Sequence, residues 1–422
     1  MDQAAAEANA PATGLGGRAV ALAGAVSLAV AMGIGRFAFT PLLPMMLDDG
    51  VIDLQAASWL ASTNYLGYLA GALLCTFQPW IWARVKRLPV VDATALVRAG
   101  LVATVLLTLA MALPAPALWP TLRFAAGVAS AVVFVFTTGW CLAQLARLGA
   151  TALGGVMYTG PGAGIVVSGL VASGMVSWHW RAATGWLIFG GLAGLLTAAV
   201  WRGFGRGALP RPGDPSLGEP AARRPANLHG RGELVFMALA YGLAGFGYIV
   251  SATFLPVIAR VTLPGSVWLD MFWPLFGSGV IAGALLATRL RISGDLRWLL
   301  AGCYVVQALG IGVSVWSPSL AGFAFGSLLL GLPFTAITFF AMREVRRLRP
   351  VAVASTMGLL TALYGIGQIV GPPLVAALLK RSTSSGQGFA VSLQIAAAAL
   401  LTGALMYVWM VRAYPVGRAE PA

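Results

Sequence analysis

The stretch "GYLAGALLCT", residues 67–76, returns 212 residues later as "GVIAGALLAT", residues 279–288, with seven identities in ten. At the same offset Gly33, Gly35, Leu43 and Pro44 fall on Gly245, Gly247, Leu255 and Pro256. One fixed offset that matches two successive apolar segments, a Leu-Pro pair included, marks an internal duplication. Around these segments, apolar runs of about 20 residues fill the chain, each long enough to cross a bilayer as a helix. They lie at 19–47, 54–78, 90–113, 117–146, 151–176 and 181–202, then at 233–260, 268–290, 296–316, 319–343, 351–379 and 387–411. Composition agrees. Only 9% of the 422 residues are charged, against about 25% in soluble domains, and mean hydropathy is +0.85.

Between the two sets lies "GFGRGALPRPGDPSLGEPAARRPANLHGRG", residues 203–232, a Gly-, Pro- and Arg-rich linker composition. The expected organisation is a tail at 1–18, a six-helix bundle at 19–202, the linker, a second bundle at 233–412 and a tail at 413–422. The first 17 residues hold Asp2 and Glu7 but no basic residue, so the first helix is expected to be uncleaved rather than a secretory signal. Parallel repeats of six helices are a transporter architecture, with the solute site near the midplane between the halves.

Twelve spans put both termini on one side, and basic residues say which. Of 27 Lys and Arg, 20 fall on the side of the termini, four on the other (Arg181, Arg260, Lys380, Arg381) and three within helices (Arg36, Arg98, Arg123). The positive-inside rule then places both termini in the cytoplasm, and a bacterial inner membrane is the expected location. The net charge of +14 is therefore a topology signal, and no nucleic-acid partner is expected. Cys75, Cys141 and Cys303 all sit inside apolar runs without partner spacing, so neither a disulfide framework nor a metal site is expected.

Several stretches resemble the major facilitator superfamily. "RFAAGVASA" (123–131) is similar to its Arg-x-x-x-Gly motif in the fourth helix, and "GPGAG" (160–164) to part of its Gly-Pro motif in the fifth. The loop "WARVKRLPV" (82–90) keeps the basic residues of a superfamily loop motif but lacks the usual acidic one. "GIGRFAFTPLLP" (33–44) and "NYLGYLAGAL" (64–73) resemble the YbfB/YjiJ-type branch. The resemblance implies an all-α membrane protein of twelve helices in two pseudo-symmetric bundles. It also implies that helices one, four, seven and ten surround the cavity, and that the partners are a small solute and the lipid bilayer. A monomer is expected.

Arg36 is the leading candidate. A central arginine costs about 2.5–3.5 kcal/mol on insertion scales, so it must meet a partner, water or a solute. Helical spacing puts Met32, Gly33, Phe39, Thr40 and Leu43 on its face. A structural alternative has it bonding the carbonyls of a helix broken near Pro41 and Pro44. Arg123 is the second candidate, with snorkelling to the outer surface as its alternative, and Arg98 is expected to snorkel. Tyr248 is the repeat mate of Arg36. Tyr248, Tyr241, Ser251, Thr335, Thr338, Tyr158, Tyr364 and Gln368 are the further lining candidates, each with helix packing as its alternative. Asn64 and Tyr65 are read as packing residues. Gly33, Gly35, Gly67, Gly71, Gly160, Pro161, Gly164, Gly245, Gly247, Gly279 and Gly283, with Pro44 and Pro256, are read as positions of close helix approach or bending.

Absences narrow the class. All 13 acidic residues lie in tails, loops or helix ends, and His179 and His229 lie in loops. No GxxxxGK[ST] run is present, so ATP hydrolysis is not expected. An intramembrane enzyme would want a base or metal cluster at depth, and a receptor would want a folded soluble domain. The expectation is a secondary active carrier without a cofactor, not an enzyme, moving a small organic and anionic solute by alternating access. A facilitator or exchanger without proton coupling, or an efflux pump for amphipathic compounds, are the alternatives.

Overall fold

The structure, a computed structural model, describes residues 16–84, 92–204, 231–266, 268–290, 294–348 and 353–415. Residues 1–15 and 416–422 of the two tails, residues 205–230 of the linker and residues 85–91 of the basic loop lie outside the described residues. Twelve helical spans follow: α1 Gly17–Asp48, α2 Leu54–Arg84, α3 Ala93–Ala110, α4 Trp119–Arg147, α5 Thr151–Ser177, α6 Ala182–Val200, α7 Arg231–Thr262, α8 Phe272–Arg289, α9 Leu296–Trp316, α10 Leu320–Leu348, α11 Val353–Arg381 and α12 Ser385–Ala413. Among the described residues eleven are long and apolar enough to cross a membrane, and α2 adds a 31-residue helix between two of them.

The duplication is visible atom by atom. A Cβ added to Gly67 would stand 2.0 Å from the Phe124 carbonyl oxygen, and one added to Gly127 would stand 2.1 Å from that of Asn64. In the second half, Gly279 meets the Leu328 carbonyl at 2.4 Å and Gly331 meets that of Phe276 at 2.1 Å. A shift of 212 residues carries Asn64 and Gly67 onto Phe276 and Gly279, while a shift of 204 carries Phe124 and Gly127 onto Leu328 and Gly331. The α2–α4 contact is thus repeated as α8–α10. Likewise Gly33 on α1 abuts Gly164 of α5, and Gly245 on α7 abuts Tyr364 of α11. Asp92 and Asp295 complete the pattern: each caps the next helix by accepting the backbone N–H two residues on, from Thr94 at 2.9 Å and Arg297 at 3.0 Å.

These contacts exist because backbones in lipid approach only where side chains are small. Gly283 is the tightest case, with its added Cβ 1.7 Å from the Leu332 carbonyl oxygen. Gly283→Val should therefore cost more than the roughly 1–3 kcal/mol of ordinary overpacking. Gly302→Ala, which meets nothing within 4 Å, should leave the melting temperature unchanged. Melting of the two purified variants checks this; equal melting would contradict the repeat packing.

The halves differ in their first helices, α1 and α7. α7 is α-helical throughout, whereas α1 is interrupted by a π-helical segment, Ala29–Arg36, before resuming as Phe39–Asp48. This corrects the expectation of a uniform helical face around Arg36, because a π turn rotates the residues that follow. Pro41 has no N–H to offer the Phe37 carbonyl. That carbonyl instead takes the Thr40 N–H at 3.1 Å, while the Phe37 N–H reaches back five residues to Met32 at 3.1 Å. The Arg36 carbonyl consequently loses its usual α-helical donor.

The two bundles meet along α2–α11 and α5–α8, and the second half of α1 packs on α7. Small residues again allow it: Gly162 lies against Gly277, and Gly169 against Pro274.

Candidate functional site

Arg36 stands at the end of the π segment, 4% exposed, where the bundles touch. Its Nη2 donates to Gln368 Oε1 of α11 at 2.7 Å, and the Gln368 amide donates onward to the Tyr248 hydroxyl of α7. Its guanidinium lies 4.1 Å from the centre of the Tyr68 ring and 5.3 Å from those of Tyr65 and Phe37. Aromatic faces stabilise a cation held out of water. The Tyr65 hydroxyl reaches Thr253 of α7 at 2.9 Å, and Ser62 Oγ donates to the Ile369 carbonyl of α11 at 2.9 Å. Beyond Gln368 the aromatic wall continues, with Tyr248 stacked on Tyr364 at 5.9 Å and set edge-on to Phe334 at 4.9 Å. Phe37 contacts Trp273 and Phe334 across the same junction.

Arg123, 2% exposed, has a different job. Its Nη2 donates to the Arg36 carbonyl at 3.2 Å and its Nη1 to the Gly35 carbonyl at 3.4 Å. It does not snorkel; it serves the carbonyls at the break in α1, the role entertained for Arg36. Ser130 Oγ donates to a third carbonyl of the segment, Ala31, at 2.7 Å. The Phe39 ring covers the Arg123 guanidinium at 4.8 Å, and Asn64 Nδ2 holds the Arg123 carbonyl at 2.8 Å. Among the described residues, no carboxylate comes within ion-pairing reach of Arg36 or Arg123. The Nε atoms of both are buried without a partner. Two cations are thus held close together, on neutral acceptors and π faces.

The remaining candidates are spread out. Gln368, Tyr248 and Tyr364 gather at Arg36. Thr40 is buried on the resumed part of α1. Tyr158 is elsewhere: it sits half-buried at the break in α5 between Gly154–Met157 and Gly160–Ser177. Tyr241 donates to Thr338 at 3.1 Å, and Thr335 leans on the Val280 carbonyl at 3.5 Å. Ser251 lines a small closed cavity with Ser314 and Ser327 inside the second bundle, not the junction. Arg98 donates to the Trp201 carbonyl at 3.1 Å and stacks on its ring.

Two features escaped the sequence reading. Tyr65 and Tyr68 belong to the Arg36 shell rather than to packing alone; their spacing of three puts them on one helix face. Buried carboxylates also exist, although none was expected from helix-end positions. Glu233 and Glu344 are 1% and 0% exposed, gathered on Arg297, which is itself fully buried. The signal was the dense alternation of charge in "GDLRW" and "REVRR".

A duplicated twelve-helix bundle, with a buried polar site where its halves meet, defines a transporter of the major facilitator superfamily, a multi-pass membrane protein and not an enzyme. Within it, the chain belongs to the family described as "Uncharacterised MFS-type transporter YbfB", whose model matches residues 28–408. No curated protein matches the chain. Among solved structures, a mutant of the nucleoside transporter NupG superposes with a TM-score of 0.69, covering 93% of this chain and 99% of its own, at 13% identity. At that identity the likeness shows the fold alone.

Proposed function

We propose that this transporter is a secondary active carrier of a small organic anion, working by alternating access, with Arg36 receiving the anionic group. One observation carries the reading: a buried guanidinium at the bundle junction with no carboxylate partner among the described residues, held by a neutral amide from the opposite bundle. A permanent charge in low dielectric needs compensation. Gln368 supplies a dipole but no charge, so an anion entering beside Arg36 and Arg123 would gain from both cations. Arginine's planar fork suits a carboxylate in a way lysine does not. The tyrosines around it offer an apolar surface with hydroxyl donors, which suits a carboxylate carried on a flat or apolar body.

The same proposal includes the boundaries: bundles at 19–202 and 233–412, a cytoplasmic 203–232 linker, cytoplasmic tails and a monomer in a bacterial inner membrane. The glycine contacts of Gly33, Gly160 and Gly164, and of Gly245, support rocking of bundles about rigid seams. Proteoliposomes offered a panel of labelled small carboxylates, amines and neutral analogues test the solute class. Uptake of at least one carboxylate, with the matched amide and amine left outside, is expected. Uptake of amines or neutral solutes alone would overturn the reading.

A further inference from the structure

A second site lies on the lipid-facing side of the first bundle, away from Arg36. Between α3 and α6 runs an open groove of about 400 Å³, lined by Val102, Val105, Leu106, Gly194, Thr197 and Ala198, with Trp201 and Arg202 at one end. Its size lies within the ~300–1,000 Å³ range of small-molecule sites. The groove exists because the facing positions of α6 are small: a Cβ on Gly194 would have only Val105 Cγ1 near it, at 3.7 Å, and one on Gly191 would meet nothing. Around it Leu106 and Leu195 are 60% and 72% exposed, an apolar surface suited to acyl chains.

That end is basic and polar. Arg98 bonds the Trp201 carbonyl at 3.1 Å and stacks on that ring at 5.0 Å, and Arg202 follows directly. Arg98 Nε is buried without a partner. Independently, Thr197 Oγ1 is buried without a partner, on a side chain 5% exposed that lines the groove. A buried hydroxyl without a bond is costly, and in a transmembrane helix it would ordinarily bond a carbonyl one turn back. A cationic end on an apolar groove, with a spare hydroxyl within it, has the chemistry of an anionic phospholipid site.

The geometry points to this groove as a binding site for one anionic phospholipid, its phosphate at Arg98 and Arg202 and one acyl chain along Gly194. The test uses the full chain in detergent, titrated with phosphatidylglycerol or phosphatidylcholine and read by native mass spectrometry. Phosphatidylglycerol adducts should persist at about thirtyfold lower lipid concentration, the scale expected of two basic residues near a headgroup. Arg98→Gln with Arg202→Gln should abolish that preference, and Gly194→Leu should remove the tightest adduct of either lipid. Melting of each variant without lipid, expected to match wild type, separates site loss from misfolding. Inorganic phosphate should not compete; competition by it would reassign the basic end to a free anion and overturn the lipid site. Equal retention of both lipids, or a preference that survives the double substitution, would also overturn it. So would a dimer that these substitutions dissolve, since the groove would then belong to a second copy.

Discussion

Arg297→Ala should strip most of the stability from the second bundle. The side chain is fully buried and ties four helices together. Nη1 donates to Glu233 of α7 at 2.8 Å and to the Met410 carbonyl of α12 at 3.2 Å. Nη2 donates to Asp295 at 2.6 Å and to the Tyr414 carbonyl at 2.8 Å, and Nε lies 3.7 Å from Glu344 of α10. Truncation leaves Glu344 buried with only Arg347, at 3.0 Å, on its charge. Breaking a buried ion pair from one side costs about 3–5 kcal/mol, because the remaining charge stays out of water. The expected result is a collapse in folded yield and melting temperature in detergent. Arg297→Lys should recover little, having three donors where five are in use. Removing both sides with Arg297→Met and Glu233→Leu should recover more than Arg297→Met alone. Arg347→Ala, whose side chain is 29% exposed, should cost far less. Acid should weaken the same cluster. Burial works against the Asp295 carboxylate, but the Arg297 and Arg347 contacts outweigh it and hold its pKa below the usual value. Its contribution is present above the ordinary aspartate pKa and is lost as pH falls through the depressed one. Wild-type melting in Arg297→Ala would contradict this account.

The second large effect is expected on transport. Arg36→Ala should fold, because the carbonyls at the break in α1 depend on Arg123 and Ser130, not on the Arg36 side chain. It should nonetheless lose the solute. Removing one partner of a desolvated charge pair costs about 2–5 kcal/mol, roughly 30- to 3,000-fold in affinity. Arg36→Lys should fall between, retaining charge but not the fork. Arg123→Ala should differ in kind, lowering melting temperature first, since it frees the Gly35 and Arg36 carbonyls. Gln368→Leu removes the amide that occupies Arg36 and should weaken the solute less than Arg36→Ala does. Uptake and melting measured on the same preparations check the ordering; Arg36→Ala transporting at the wild-type rate would refute it.

The fold was legible because close helix approach writes itself into composition. Gly67, Gly71, Gly279 and Gly283 are where backbones must touch, and no larger residue fits there. Arg36 was legible because a charge in an apolar run must be compensated somewhere. The π segment was not. An extra residue in a turn depends on donors brought by another helix, and nothing near Gly33 or Gly35 announces Arg123 or Ser130. For the same reason Arg123 read as a solute-binding candidate, with snorkelling as its alternative, until its acceptors were seen. Arg297 and Glu344 read only as charges near helix ends on the side of the termini, because such a position does not say whether a side chain turns to water or inward. Tyr158 was grouped with Arg36 by helix number, and only three-dimensional placement puts it at the break in α5 before Gly160, apart from the Arg36 cluster.

The central claim is that Arg36 recognises negative charge on the solute. The most direct measurement pairs one change in the protein with one in the ligand. A transported carboxylate and its isosteric amide are titrated into purified wild type and Arg36→Ala, and the four affinities close a cycle. Charge recognition predicts a coupling of at least about 2 kcal/mol, with the carboxylate strongly preferred by wild type and the preference gone in Arg36→Ala. Four affinities that differ only additively, in variants that melt alike, would contradict it and leave Arg36 as a structural residue of the bundle junction.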